Sequence, residues 1–184
     1  MINEKILWAK NVFLRQKCVP VNIQDKEELT SAQLIIYEMF RTLYADPSSV
    51  ALAAPQVGIN LQITTIDYED RDTKKRRLLA LINPNIVHFS DETIDDQEIC
   101  LSVPNFTGYV PRAKSIEVEA YDQHGRFLKF SAEDFFARVL QHEIDHLNGF
   151  LYIDKLRGEL EKILDYPERR IESTMKSLNW ILDD

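Results

Sequence analysis

From Ser131 to Gly149 the chain reads SAEDFFARVLQHEIDHLNG. Its spacing predicts a helix over about Ala132–Leu147. Ser131 is the expected N-cap, Asp134 completes a capping-box-like pattern, and Gly149 is the expected stop. Apolar side chains cover much of the circumference: Phe135, Phe136, Ala137, Val139 and Leu140 on one side of the motif and Leu147 on the other. Such a helix is expected to be buried, and buried histidine and glutamate need partners. His142, Glu143 and His146 form H-E-x-x-H. Histidines at i and i+4 share one helix face and can hold one metal ion. Glu143, beside the first of them, can reach a water on that ion and act as general base. The bland alternative is a surface helix with two incidental histidines, which the capping and the apolar flanks disfavour.

Outward from this helix, Glu27–Ala45 carries Leu29, Leu34, Ile35, Met39, Leu43 and Tyr44 at roughly helical spacing, and Asp46-Pro47-Ser48-Ser49 breaks it. Leu61–Tyr68 and Leu78–Phe89 read as strands around a charged loop, Glu69–Arg77. Ser115–Tyr121 alternates apolar and polar residues. Asp122-Gln123-His124-Gly125 is a hairpin signal before Phe127–Phe130. A third helix is expected over much of Leu160–Ile181. Helix, then strands, then helix indicates α+β. The expected fold is mainly antiparallel strands around a central metal-binding helix, with an N-terminal and a C-terminal helix, as a single domain over residues 1–184.

The composition sets the outer limits. At 184 residues, 45% hydrophobic and 28% charged, the chain has an ordinary globular balance. A net charge of −8 gives no pull toward nucleic acid, so no direct nucleic-acid binding is expected. The basic run Lys74–Arg77 is expected to be a solvated strand-to-strand loop. No apolar run reaches the roughly 20 residues of a membrane span. Met1–Lys10 does not read as a secretory signal. With only Cys18 and Cys100 there is no disulfide framework, so a reducing compartment is expected, cytosol or an organelle interior by default, with the cytoplasm as the expected location. His88 and His124 carry no expected role.

Two helix ligands leave a catalytic site one short. A histidine six residues after His146 would complete one pattern, but that position is Tyr152. A downstream glutamate, Glu159, Glu161 or Glu168, would complete another. Upstream stands Cys100, whose thiolate suits Fe²⁺ or Zn²⁺. On the residues alone these last two options stay open, and an inert buried cysteine is the common fate of such a residue.

Three segments settle on one family by resemblance. The run from His142 to Gly149, Cys100-Leu101-Ser102 upstream of it, and Ser49 to Gln56 (SVALAAPQ) are similar in order and content to peptide deformylases. Val103-Pro104, Val110-Pro111-Arg112-Ala113 and Leu151-Tyr152-Ile153-Asp154 agree with it. So, more weakly, do Phe13-Leu14-Arg15 and Val19-Pro20-Val21. The resemblance spans roughly residues 5–155. It implies removal of the formyl group from the N-terminal formylmethionine of nascent polypeptides. It implies Cys100, His142 and His146 as ligands, with Fe²⁺ the usual ion and Zn²⁺, Ni²⁺ or Co²⁺ as substitutes. Glu143 would be the base, and the Gln56 amide and the Leu101 N–H would be donors to the developing oxyanion. Val50, Ala51 and Ile99 would bound the peptide. A formylated nascent peptide would be the partner, met by a soluble monomer.

The chain departs from the family at three glycines, replaced by Ser49, Ala51 and Ile99. A β-branched residue at positive φ would be strained. An adjusted backbone with Ile99 projecting near the cleft is the expectation, and with it a narrower peptide site. The alternative readings are a deformylase-like protein with weak or altered N-acyl specificity, a zinc endopeptidase with a downstream glutamate ligand, and a non-catalytic domain docking a partner through Gly158–Asp184.

Overall fold

The computed structural model describes residues 6–46, 49–70 and 74–163. Helix α1 spans Lys26–Tyr44. The Asp25 side chain accepts from the Glu27 and Glu28 N–H groups, filling two of the unpaired donors at a helix start. Its buried residues Ala32, Ile36, Met39, Phe40 and Leu43 recur on one face.

Five antiparallel strands form the larger sheet. They are β1 (Ala51–Ala53), β2 (Ile63–Glu69), β3 (Arg76–Phe89), β6 (Ser115–Tyr121) and β7 (Phe127–Glu133), in the spatial order β1-β2-β3-β6-β7. The smaller sheet joins β4 (Thr93–Cys100), β5 (Val103–Ala113) and β8 (Glu161–Lys162), in the order β4-β5-β8. Helix α2, Asp134–Leu147, serves both sheets. Phe136, Ala137, Val139 and Leu140 pack with Ile66, Leu81 and Val118 of the larger sheet. Arg138 and His142 turn instead toward β4 and β5, where they bond Glu98 and the Val110 carbonyl. One helix with two differently used faces thus brings its polar residues to the seam between the sheets. That is the expected α+β architecture around a central helix.

Several local expectations change. Ser131 does not cap α2. It pairs with Glu117 in the β6–β7 ladder, the strand runs on to Glu133, and Glu133 takes the N-cap position without a side-chain bond. The chain turns from strand to helix through a left-handed Asp134, φ 51°. Pairing with β6 over seven residues outweighs the local cap signal. Arg76 and Arg77 belong to β3 rather than to a loop. Arg76 forms an ion pair with Asp67, and the Arg77 guanidinium lies 4.9 Å from the Phe136 ring centroid. The helix expected over Leu160–Ile181 does not begin there, because Glu161 and Lys162 pair with Thr107 and Phe106. The rest of that segment, from residue 164, lies outside the described residues. No helix among the described residues is long and apolar enough to cross a membrane.

Candidate active site

Three elements meet at the seam. α2 brings His142, Glu143 and His146, all buried. β4 ends in Cys100, also buried. A 3-10 turn, Ala54–Val57, brings Gln56. Single ligand atoms of Cys100, His142 and His146 all lie within 4.8 Å of one another. Cys100 Sγ is 3.3 Å from His146 Nε2. His142 Nδ1 is 2.8 Å from Glu98 Oε2, which leaves Nε2 as the ring nitrogen for the Cys100 side. One soft sulfur and two imidazole nitrogens fit a divalent ion such as Fe²⁺ or Zn²⁺.

Glu98 organises the far side of His142. It lies two residues before Cys100, so strand alternation points both side chains to the same face. Arg112 grips its carboxylate in a fork, at 2.8 and 3.0 Å. Arg138 adds a third bond at 2.8 Å and also donates to the Val110, Ile94 and Asp96 carbonyls. Arg112 also reaches Asp145, whose other oxygen accepts from Lys155. Burial alone would push the Glu98 carboxyl up. Hydrogen bonds from His142 and Arg112 outweigh it and hold Glu98 well below the ordinary carboxylate range.

The histidines diverge electrostatically. Burial would lower His142, but hydrogen bonds to Cys100 and Glu98 hold it raised. Burial, and then the charge of His142, lower His146. Burial also pushes the Glu143 carboxyl up to about 7, against the pull of His142 and the Thr64 hydroxyl. A carboxyl near neutrality can both take and return a proton at working pH.

Gln56 is held by its own turn. Its Oε1 accepts from Ala53 N at 2.9 Å, which aims Nε2 at Cys100 Sγ (3.5 Å) and Ser102 Oγ (3.2 Å). The segment before residue 10 straps this corner, with Leu7 N donating to Gln56 O and Ala9 N to Ser102 O.

A cleft of about 420 Å³ opens onto these groups. Val50, Ala51, Gln56, Ile99, Cys100, Leu101, His142 and Glu143 all line it. His146 lies beneath, against the Cys100 sulfur. Among the described residues with positive φ, Ile99 does not appear, so the residue sits in ordinary extended backbone without strain. Its side chain is 46% exposed at the cleft. The downstream glutamates do not join the cluster. Glu159 and Glu161 are exposed and Glu168 lies outside the described residues, while Tyr152 stacks on His142 with ring centroids 6.2 Å apart. Sequence reasoning missed Glu98, Arg112 and Arg138. The signal was there: a glutamate in step with Cys100 along a strand, and an arginine amid apolar residues of α2.

An H-E-x-x-H helix and a cysteine-bearing strand that converge on one cleft define the class of metal-dependent hydrolases. The family model described as Polypeptide deformylase matches residues 3–162, and the chain belongs to that family. Peptide deformylase 2 of Vibrio cholerae is 43% identical over 138 residues, covering 74% of this chain and 80% of that one. The peptide deformylase of Desulfitobacterium hafniense is 42% identical over 153 residues, covering 83% and 94%. Among solved structures, a probable peptide deformylase from Synechococcus phage S-SSM7 superposes with a TM-score of 0.72 at 36% identity, covering 83% of this chain and 99% of that one. A peptide deformylase from Synechococcus elongatus in complex with actinonin gives 0.72 at 36% identity, covering 84% and 79%.

Proposed function

We propose that this chain hydrolyses the N-formyl group from the formylmethionine that begins new polypeptides, releasing formate and a free amine. The observation that carries the reading is the convergence, in a family member, of Cys100, His142 and His146 beside Glu143 in one peptide-sized cleft. Cys100 Sγ and the two Nε2 atoms are the ligands, with Fe²⁺ the preferred occupant and Zn²⁺, Ni²⁺ or Co²⁺ substitutes. When bound, such an ion supplies Lewis acidity, lowering the pKa of water and polarising a carbonyl oxygen. Glu143 takes the proton released as water attacks the formyl carbon and hands it to the departing amine nitrogen. The Gln56 amide and the Leu101 N–H donate to the oxygen that gains charge, and losing one such donor costs roughly 10²–10³ in rate. Glu98 fixes the His142 tautomer by accepting from Nδ1. Val50, Ala51 and Ile99 border the bound peptide, and Phe135 and Val139 add apolar wall. Every group named comes from one chain, so the reading needs no second copy. The substrate places the reaction among nascent chains in the cytoplasm.

The test is direct. The full chain, loaded anaerobically with Fe²⁺, is given a formyl-Met peptide and its acetyl-Met counterpart, and formate and free amine are measured. Equimolar formate and amine from the first, with little turnover of the second, is the expected result. No formate, or equal turnover of both, would overturn the reading.

A further inference from the structure

Glu143 is buried in α2, yet among the described residues only one side chain hydrogen-bonds its carboxylate. That partner is Thr64 on β2, whose Oγ1 lies 3.5 Å from Glu143 Oε2. Thr64 is fully buried, and so is Thr65 beside it. Consecutive buried hydroxyls are unusual in a strand, because each must find a partner within the protein. Both turn to the same acceptor, the Leu52 carbonyl, Thr64 at 3.1 Å and Thr65 at 3.4 Å. The Leu52 carbonyl lies in the β1–β2 ladder opposite Thr65, so it does not depend on either hydroxyl. The Thr64 hydrogen is then free to turn to Glu143.

We propose that Thr64 is a positioning residue for Glu143, its hydroxyl holding Oε2 toward β2 so that Oε1 faces the reacting groups in the cleft. The proposal rests on the deformylase reading for its catalytic consequence, but not for the contact itself. A neutral hydroxyl donates to the carboxylate without burying a second charge beside it. The 3.5 Å separation is at the outer edge of a hydrogen bond. β2 is the second strand of a five-stranded sheet, paired on both sides, so the hydroxyl is presented from a rigid support.

The test compares T64V, T64S and T65V in the full chain loaded with Fe²⁺. Valine keeps the shape and removes the hydroxyl. Serine keeps the hydroxyl. T65V removes the other donor to Leu52 O without touching Glu143. The expected result is a kcat roughly tenfold lower in T64V with KM within twofold, and unchanged metal content. T64S is expected to recover most of the loss and T65V to resemble the native chain. Equal kcat in T64V and native chain, or equal losses in T64V and T64S, would overturn the proposal. A second readout needs no turnover. The ¹³Cδ resonance of Glu143, identified by its absence in E143Q, is expected to move in T64V and hold in T65V; a resonance unmoved in T64V overturns the proposal by itself. If T64V does not fold, T64A is read the same way. A native chain without deformylase activity would sink the functional reading instead, and the resonance would then judge Thr64 alone.

Discussion

His142 and His146 stand four residues apart on one helix face, yet their far ring nitrogens meet opposite surroundings. His142 Nδ1 contacts a carboxylate that two buried arginines hold in place. His146 Nδ1 is buried with no hydrogen-bond partner among the described residues. The first ring is fixed at its far nitrogen by directed bonds, the second through Nε2, 3.3 Å from Cys100 Sγ, and an edge contact with the His142 ring. The site is therefore anchored from the β4 side. The difference teaches that disturbance behind His142 should reach the metal, while the His146 side has little polar structure to disturb.

The largest effect is expected where the anchor itself is cut. Glu98→Ala leaves the Arg112 and Arg138 charges buried without their shared partner. A loss of roughly 3–5 kcal/mol in folding stability is expected, read by denaturant unfolding. Metal affinity should fall roughly 10–100-fold, read by competition with a chelator. Unaltered metal affinity in a folded Glu98→Ala protein would erase the contrast between the two histidines.

Next comes Glu143, which lacks such an anchor. Burial raises its carboxyl from the ordinary 4.5 to about 7 in the folded chain. A folded-state pKa raised in this way gives stability that is present below about pH 4.5 and is lost as pH rises through about 7. The chelated native protein should therefore lose stability relative to chelated E143Q across that window, by about 3 kcal/mol in all. Paired unfolding curves at pH 5 and pH 8 measure it. A gap that is the same at both pH values would place Glu143 in a more solvated setting.

A smaller effect is expected from Arg138→Met, which leaves the Arg112 fork on Glu98 intact. A cost of about 1–3 kcal/mol follows from the lost bonds to Glu98 and to the Ile94 and Val110 carbonyls. Metal affinity should drop less than in Glu98→Ala, and an equal drop would mean that Arg112 alone cannot hold the carboxylate. The smallest effect belongs to Ile99→Gly. Ile99 lies between Glu98 and Cys100 but points to the opposite strand face. Both histidine environments should stay as they are, while kcat/KM on a formyl-Met peptide gains a few-fold if Ile99 narrows the cleft. No gain would show that the glycine replacements leave the peptide path open.

The uneven legibility of this chain has physical causes. The helix bearing H-E-x-x-H, α1 and the β6–β7 hairpin could be read directly, since each carries its period or turn signal locally. The start of α2 could not, because Ser131 is claimed by a strand pairing that no local signal reveals. Strand β1 is three residues long, too short for a period. β4 is rich in acidic residues, with Glu98 and Cys100 its two buried positions, so it lacks a strand-like apolar rhythm. Cys100 emerged only from resemblance to a family, because its sequence distance from α2 carries no spacing rule. The worry that isoleucine at position 99 would be strained dissolves once β4 is seen to be extended there. The Glu98–Arg112–Arg138 block could be suspected only from charge in apolar company, and the Thr64 contact, made by a neutral side chain, is a product of tertiary packing alone.

In the proposed mechanism one helix supplies the base and two of the three metal ligands, with Cys100 of β4 the third. This division is tested most directly by formate release from a formyl-Met peptide in native chain and E143Q, each with its metal content measured on the same sample. E143Q is expected to hold as much metal as the native chain and to lose roughly 10²–10⁴ in kcat. A metal-replete E143Q that turns over at the native rate would contradict it.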